Sequence, residues 1–152
     1  MTLAMQWSNA ELLRVHAVAY QGRKARLCLA INSASLTKDS TTAQWDAVEI
    51  SSQASNGYAK VEWTLPAGAY TATQGMVVGT GNLCTFQASA GGLGLQFDTA
   101  YLVLGTASGG TTTWDTTVAG ILPMLPEDQT LSPGQPLSIE VFTMVDDITA
   151  VA

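Results

Sequence analysis

What this chain lacks is more informative than what it contains. Beyond Lys60 there is no lysine or arginine: 92 residues continue with eight carboxylates and no fixed positive charge to balance them. Charged residues of both signs make up only 12% of the chain, about half the usual ~25%. Its exterior must therefore be built largely from Ser, Thr, Gly, Gln and apolar groups. Such a surface suits a subunit packed into an assembly better than an enzyme working alone. Histidine occurs once, at His16, so neither a general base with its partner nor a three- or four-ligand metal site can be assembled from spacing. The two cysteines, Cys28 and Cys84, have no CxxC neighbour and are too few to define a disulfide framework. Each falls in an expected strand and reads as a small buried hydrophobe. No apolar run approaches the ~18 residues of a membrane span. The opening MTLAMQWSNAELL has neither a basic n-region nor an unbroken apolar stretch, so no signal peptide is expected. A soluble protein made in a cytoplasm is the expectation.

The chain is 152 residues long, enough for one domain with a real core. Its 47% hydrophobic fraction is made largely of small residues, with 21 Ala beside 14 Gly and 30 Ser plus Thr. The net charge of −6 is unevenly divided. Residues 1–60 hold all six bases against four acids, and residues 61–152 hold eight acids alone. Phosphate neutralisation needs clustered Lys and Arg. Only Arg23, Lys24 and Arg26 cluster, at a helix-to-strand junction, and they read as an exposed corner; no direct nucleic-acid contact is expected.

Ser8 followed by Glu11 forms a capping-box pattern, and Trp7 with Leu12 a hydrophobic staple. Leu12, Val15 and Ala19 continue at helical spacing to Gly22, which predicts a helix over 9–21. From Lys24 the period becomes two: Ala25, Leu27, Leu29 and Ile31 oppose Arg26, Cys28 and Ala30, as for a strand with one buried side. Asn32–Thr42 is a polar connection. Ala43–Ile50 fits either a short helix or an irregular extended segment, and Ser51–Gly57 is a loop ending in the turn former Asn-Gly. Tyr58–Leu65 alternates as a strand, closed by Pro66–Gly68. The low-charge stretch Ala69–Gly81 carries no assignment. Leu83–Ala88 points Cys84 and Phe86 inward, and Gly91, Gly92 and Gly94 mark a loop. The apolar run Tyr101–Leu104 suits a central strand covered on both faces. Ser108–Gly110 turns the chain into a β-branched strand over Thr111–Val118, continued or bulged at Ile121–Leu125. After the turn Ser132-Pro133-Gly134 the last strand spans Leu137–Val145.

Six or seven short strands separated by Gly, Pro and Ser turns argue for an all-β fold: an antiparallel β-sandwich, Ig-like or jelly-roll-like, with an N-terminal α-helix. The expected organisation is a helical segment over 1–23 packed on a single sandwich domain over 24–152.

No catalytic residue set emerges, and no cofactor or metal is expected. His16 reads as a helix-surface or partner-facing histidine. The acid pairs Glu127-Asp128 and Asp146-Asp147 lack the alternating oxygen ligands and central glycine of a calcium loop; they read as solvated loops, with a cation site or a basic partner as alternatives. Trp7, Trp45, Trp63 and Trp114 are candidates for a sugar-stacking platform. Trp63 and Trp7 read first as core or interface, which leaves Trp114 as the best exposed aromatic. Gly91–Gly94 lacks the Lys-Ser/Thr ending of a phosphate loop, and Ser108 lacks the G-x-S-x-G context of a nucleophile elbow.

The order of these segments resembles a loosely defined group of tailed-bacteriophage virion proteins. The carrying segments are ARLCLAI, then SLTKDSTTAQWDAVEI, GYAKVEW, CTFQA, YLVLG and PGQPLSIEV, together spanning Lys24–Val145. The resemblance implies a structural component of the virion and transfers no catalytic residue. Its leading form is a capsid decoration or cement subunit, a homo-oligomer such as a trimer, binding the major capsid protein or other virion proteins. A tail, neck or fibre-attachment protein is the structural alternative. A carbohydrate-binding module acting through Trp114 is the alternative from another class.

Overall fold

The computed structural model describes residues 8–71, 76–124 and 129–146. The fold is all-β, antiparallel and sandwich-like, with little helix. In chain order, helix α1 (Asn9–Ala19) precedes strand β1 (Lys24–Ala30), helix α2 (Thr42–Asp46) and a 3₁₀ helix (Ile50–Asn56). Then follow β2 (Val61–Thr64), β3 (Gly68–Thr71), β4 (Met76–Gly79), β5 (Asn82–Gln87), β6 (Leu95–Phe97) and β7 (Thr99–Ser108). The chain continues with β8 (Thr111–Trp114), β9 (Gly120–Pro123), β10 (Gln129–Leu131), β11 (Pro136–Val141) and β12 (Met144–Asp146). These elements form two compact units. One comprises Met1–Gly22, Thr64–Asn82 and Glu140–Ala152; the other comprises Arg23–Trp63 and Leu83–Ile139.

In the first unit, α1 packs on the antiparallel sheet β12-β4-β3. The helix starts as its sequence predicts, with the Ser8 hydroxyl accepting from the Glu11 amide at 3.2 Å. The reciprocal half of the capping box is not made. Glu11 instead accepts from Arg14 one turn on, at 2.6 and 2.9 Å, because a guanidinium is the stronger donor. Trp7, the other half of the predicted staple, lies outside the described residues. Leu12 and His16 face the sheet and are buried.

Two short strands, β3 and β4, occupy the stretch that carried no assignment. Their glycines explain why. A Cβ on Gly68 would lie 2.7 Å from His16 Nδ1, and one on Gly79 would lie 3.3 Å from His16 Nε2. Strands that must leave room for an imidazole cannot display the large alternating apolar residues by which strands are recognised.

The expected last strand is two strands, since pairing stops at Phe142-Thr143. Thr143 turns inward there: its carbonyl accepts from the Gly79 amide at 2.8 Å, and its hydroxyl meets His16.

The second unit is organised around β1 and β7, paired antiparallel from Lys24↔Gly105 to Ala30↔Thr99. Sheet order is β2-β1-β7-β8. The ten-residue β7 uses its other edge twice, pairing β9 through Thr99–Leu102 and β8 through Gly105–Ser108. The YLVL run is the central, doubly covered strand that its composition implies. β1 differs from the expectation of one buried side: every residue from Ala25 to Ala30 is buried. One face joins Cys28, Ala30, Trp45, Tyr101, Val103 and Val118 in a core, on which Leu36, Val48, Trp114 and Ile121 also pack. Ala25, Leu27 and Leu29 are covered on the other face.

The undecided segment Ala43–Ile50 packs on the first of these faces, the one that carries Cys28. It forms α2, capped by a complete box in which Thr41 and Gln44 bond each other's backbone. This helix drives Trp45 into the core, stacked on Tyr101 with ring centroids 5.3 Å apart. Burial of a tryptophan on this scale contributes roughly 3–5 kcal/mol against alanine.

The 3₁₀ helix ends at Gly57, whose φ of +98° only glycine adopts without strain. The turn redirects Tyr58 inward, so the predicted strand over 58–65 shortens to β2. The β8 strand likewise stops at Trp114, short of Val118. Its hairpin with β7 closes through Gly109 and Gly110, both at positive φ, as a tight two-residue turn requires. Two further pairs, β10 with β6 and β11 with β5, complete the unit. Cys84 and Phe86 point inward from β5 as expected.

Candidate functional site

The charged side chains of β1 do not form the exposed corner expected of them. Arg26 sits on the face shared with Cys28 and directs both of its short contacts, 2.7 and 2.9 Å, to the Asp46 carboxylate at the end of α2. Tyr101 donates to the same carboxylate at 2.9 Å. The Arg26 guanidinium lies 4.8 Å from the Trp114 ring centroid, a cation–π contact that partly offsets the burial of its unbonded Nε. Arg23 bonds both oxygens of Asp115 at 2.7 Å. Arg14, Lys38 and Lys60 pair with Glu11, Asp39 and Glu49, and Lys24 is likewise engaged. Each of the six bases thus has an interaction within the protein.

Trp114 is therefore not the exposed aromatic expected from its Thr-rich strand. It is half-buried against the core, with the Arg26 guanidinium over its ring. Trp45 is fully buried and donates from its indole to the Thr37 carbonyl at 3.2 Å. Trp63 is partly buried, its indole nitrogen sealed without a partner among the described residues.

His16 is the clearest correction. It is only 1% exposed, wedged over Gly68 and Gly79, and shares a 2.9 Å hydrogen bond with Thr143. Desolvation lowers its pKa below the ordinary histidine value, which keeps the ring neutral. A His–Thr pair at this distance has the geometry of a base and a nucleophile. Both groups are sealed from solvent, so it acts as a structural link.

Cys28 and Cys84 are buried thiols that are not joined in a disulfide. Burial, with the nearby Glu49, pushes the Cys28 thiol up to about 12, the opposite of a reactive thiolate. Burial likewise raises the Tyr58 and Tyr101 phenols. The Glu127-Asp128 pair, the Asp147 residue and the Asp146 side chain lie outside the described residues. Among the described residues no three His, Cys, Asp or Glu side chains converge on a metal position.

One concave site stands out in the second unit, a cleft of about 380 Å³ between the loop after β1, the start of β7 and the end of β9. Asn32 opens the loop at φ +59°, turning the chain so that Ser33 faces Asp98. The Ser33 amide donates to Asp98 Oδ2 at 2.9 Å and its hydroxyl donates to Oδ1 at 2.6 Å. Since that hydroxyl has given up its one proton, Thr99 supplies the proton in the 2.8 Å bond between Thr99 and Ser33.

The backbone of Asp98 is held on both sides, its amide by the Ala30 carbonyl and its carbonyl by the Met124 amide, each at 2.8 Å. Leu36, Trp45, Ile121, Pro123 and Met124 complete an apolar lining. A serine oriented by a carboxylate has no imidazole here to take its proton, so the arrangement is suited to binding. Sequence reading missed the site because Asn32–Thr42 shows only polar composition. The available signal was an Asn-Ser pair directly after a buried strand.

Comparison of the chain with protein-family models, with curated proteins and with solved structures finds no match in any of the three.

Proposed function

We propose that this protein is a structural subunit of a virus particle, a decoration or cement component that attaches to the assembled head of a tailed phage. The observation that carries the reading is the surface. Large apolar side chains stand in solvent at Val18, Leu83, Leu93, Leu122 and Phe142, with Leu93 89% exposed at the tip of the Gly91–Gly94 loop. They occur in a chain with only 12% charged residues, whose bases are already committed to internal partners.

Covering an exposed leucine or phenylalanine in a contact contributes roughly 1.5–3 kcal/mol. Ser, Thr and Ala around it cost little to desolvate, whereas ion-rich surfaces lose their hydration. Attachment to the assembled shell then stabilises it by linkage, as any ligand of one state does. The resemblance of the segment order to phage virion proteins is the support for a phage particle as the assembly.

Mass spectrometry of purified particles tests the proposal. A copy number matching the capsid lattice is expected. A single ring's worth of copies would place the protein in the tail or neck, and absence from particles would end the structural reading. The carbohydrate-binding alternative rests on Trp114, whose half-buried ring has the Arg26 guanidinium over it; the proposal favours the exposed apolar side chains instead.

A further inference from the structure

The geometry points to the cleft beside Asp98 as a recognition site for a cationic side chain, an arginine or lysine presented by a protein partner. Three observations carry this. First, among the described residues the Asp98 carboxylate belongs to none of the ion pairs set out above, and its side-chain partner there is the neutral Ser33. An ionised carboxylate offers about four acceptor positions. Ser33 uses one on each oxygen, leaving one on each for an incoming donor, the arrangement a guanidinium engages with two parallel bonds.

Second, the cleft behind the carboxylate is apolar where Trp45, Ile121 and Leu36 line it. That chemistry suits the methylene stem of a long cation, which buries its carbons while its head group bonds at the polar end. Its volume of about 380 Å³ falls at the low end of ligand sites, ~300–1,000 Å³, and fits one side chain better than a large cofactor.

Third, the polar wall is set before any ligand arrives. Asp98 is held at its amide, carbonyl and both carboxylate oxygens, and the Leu36 amide closes the loop onto the Ser33 carbonyl at 2.8 Å. Little ordering remains for binding to oppose. A partner rich in bases also complements a chain that carries a net charge of −6. The identity of the partner rests on the structural-subunit proposal, while the cation site itself does not.

The test is a titration of ¹⁵N-labelled protein with the tripeptide Ac-Ala-Arg-Ala-NH₂, and separately with its neutral citrulline isostere. Saturable shifts are expected at the Ser33 and Asp98 amides and the Trp45 indole. The citrulline peptide should bind at least about tenfold more weakly, the loss of one charge-assisted contact. Asp98→Asn keeps one of the two acceptor oxygens that Ser33 uses and removes only one of six net charges. Diffuse attraction would survive that change, whereas the proposed site loses its arginine binding. Equal binding of the two peptides overturns the proposal, as do shifts confined to other regions or an Asp98→Asn protein that binds arginine unchanged. The isostere comparison uses the unaltered protein, so a misfolded variant leaves the test intact. Binding of the arginine peptide by a protein absent from virions would keep the site and remove the virion assignment.

Discussion

Gly57→Ala separates backbone strain from steric overlap at a position where the structure places both. Gly57 has φ +98°, and an added Cβ would fall 2.6 Å from the Ser89 amide nitrogen and 2.7 Å from the Gln87 carbonyl oxygen. Neither neighbour can yield cheaply. The Ser89 amide donates to the Asn56 carbonyl at 2.7 Å, and the Ala88 amide between them donates to the Gln135 carbonyl at 3.1 Å.

Left-handed backbone costs an L-residue roughly 1–2 kcal/mol, and forcing backbone apart in a packed region costs about 1–3 kcal/mol more. Alanine returns about 0.4–1 kcal/mol by restricting the unfolded chain. The net loss is roughly 1–4.6 kcal/mol, which for a chain of this size lowers Tm by roughly 2–18 °C. Two controls divide the effect. Gly109, at φ +58° with no atom within 4 Å of its would-be Cβ, reports strain alone, about 1–2 kcal/mol less the entropic return. Gly91, with the same open space and no positive φ, should become more stable by about 0.4–1 kcal/mol. Urea denaturation of the three variants gives the order. A Gly57→Ala protein within about 0.5 kcal/mol of the parent, the scatter of ordinary surface changes, would refute the reasoning. Equal losses at Gly57 and Gly109 would do the same.

Further expectations rest on buried groups. Because burial lowers the His16 pKa, the unfolded chain binds the proton more readily; stability is therefore full above the unfolded value of ~6.5 and declines as pH falls through it. That contribution has a slope of at most about 1.4 kcal/mol per pH unit, and a His16→Gln protein should lack it between pH 7 and 5; parallel profiles would contradict the burial argument. Neither cysteine should react with a thiol reagent at pH 8 in the native protein, and both should react once it is unfolded. Immediate labelling of the native protein would show the Cys28 environment to be wrong. Tyr58 accepts from the Leu29 amide at 3.2 Å and donates to Glu49 at 2.8 Å. Tyr58→Phe orphans that buried amide and should cost about 1–3 kcal/mol in urea unfolding, and an unchanged midpoint would show that the amide finds another partner.

Elements whose signal is local can be read directly from the residues. The Ser8 cap needs only Glu11, three residues on. The run Tyr101–Leu104 is apolar on both faces, and Cys84 and Phe86 share one side of a strand by period alone. The Gly109-Gly110 turn is the chemistry of its two residues. The Thr41–Gln44 capping box was equally local and was masked by the mixed composition that follows it.

Tertiary structure decided whatever depends on partners far along the chain. Arg26 looks like a surface residue until Asp46, Tyr101 and Trp114 surround it. His16 looks exposed until Thr143, 127 positions away, and two glycine-bearing strands close over it. Those strands were invisible because the histidine supplies the bulk that their glycines omit. The Asp98 cleft follows the same logic: its wall and lining come from four separate segments, and only their approach turns a lone acid beside a polar loop into a shaped site. A side chain's burial and charge balance are properties of its surroundings, and those surroundings are assembled by the fold.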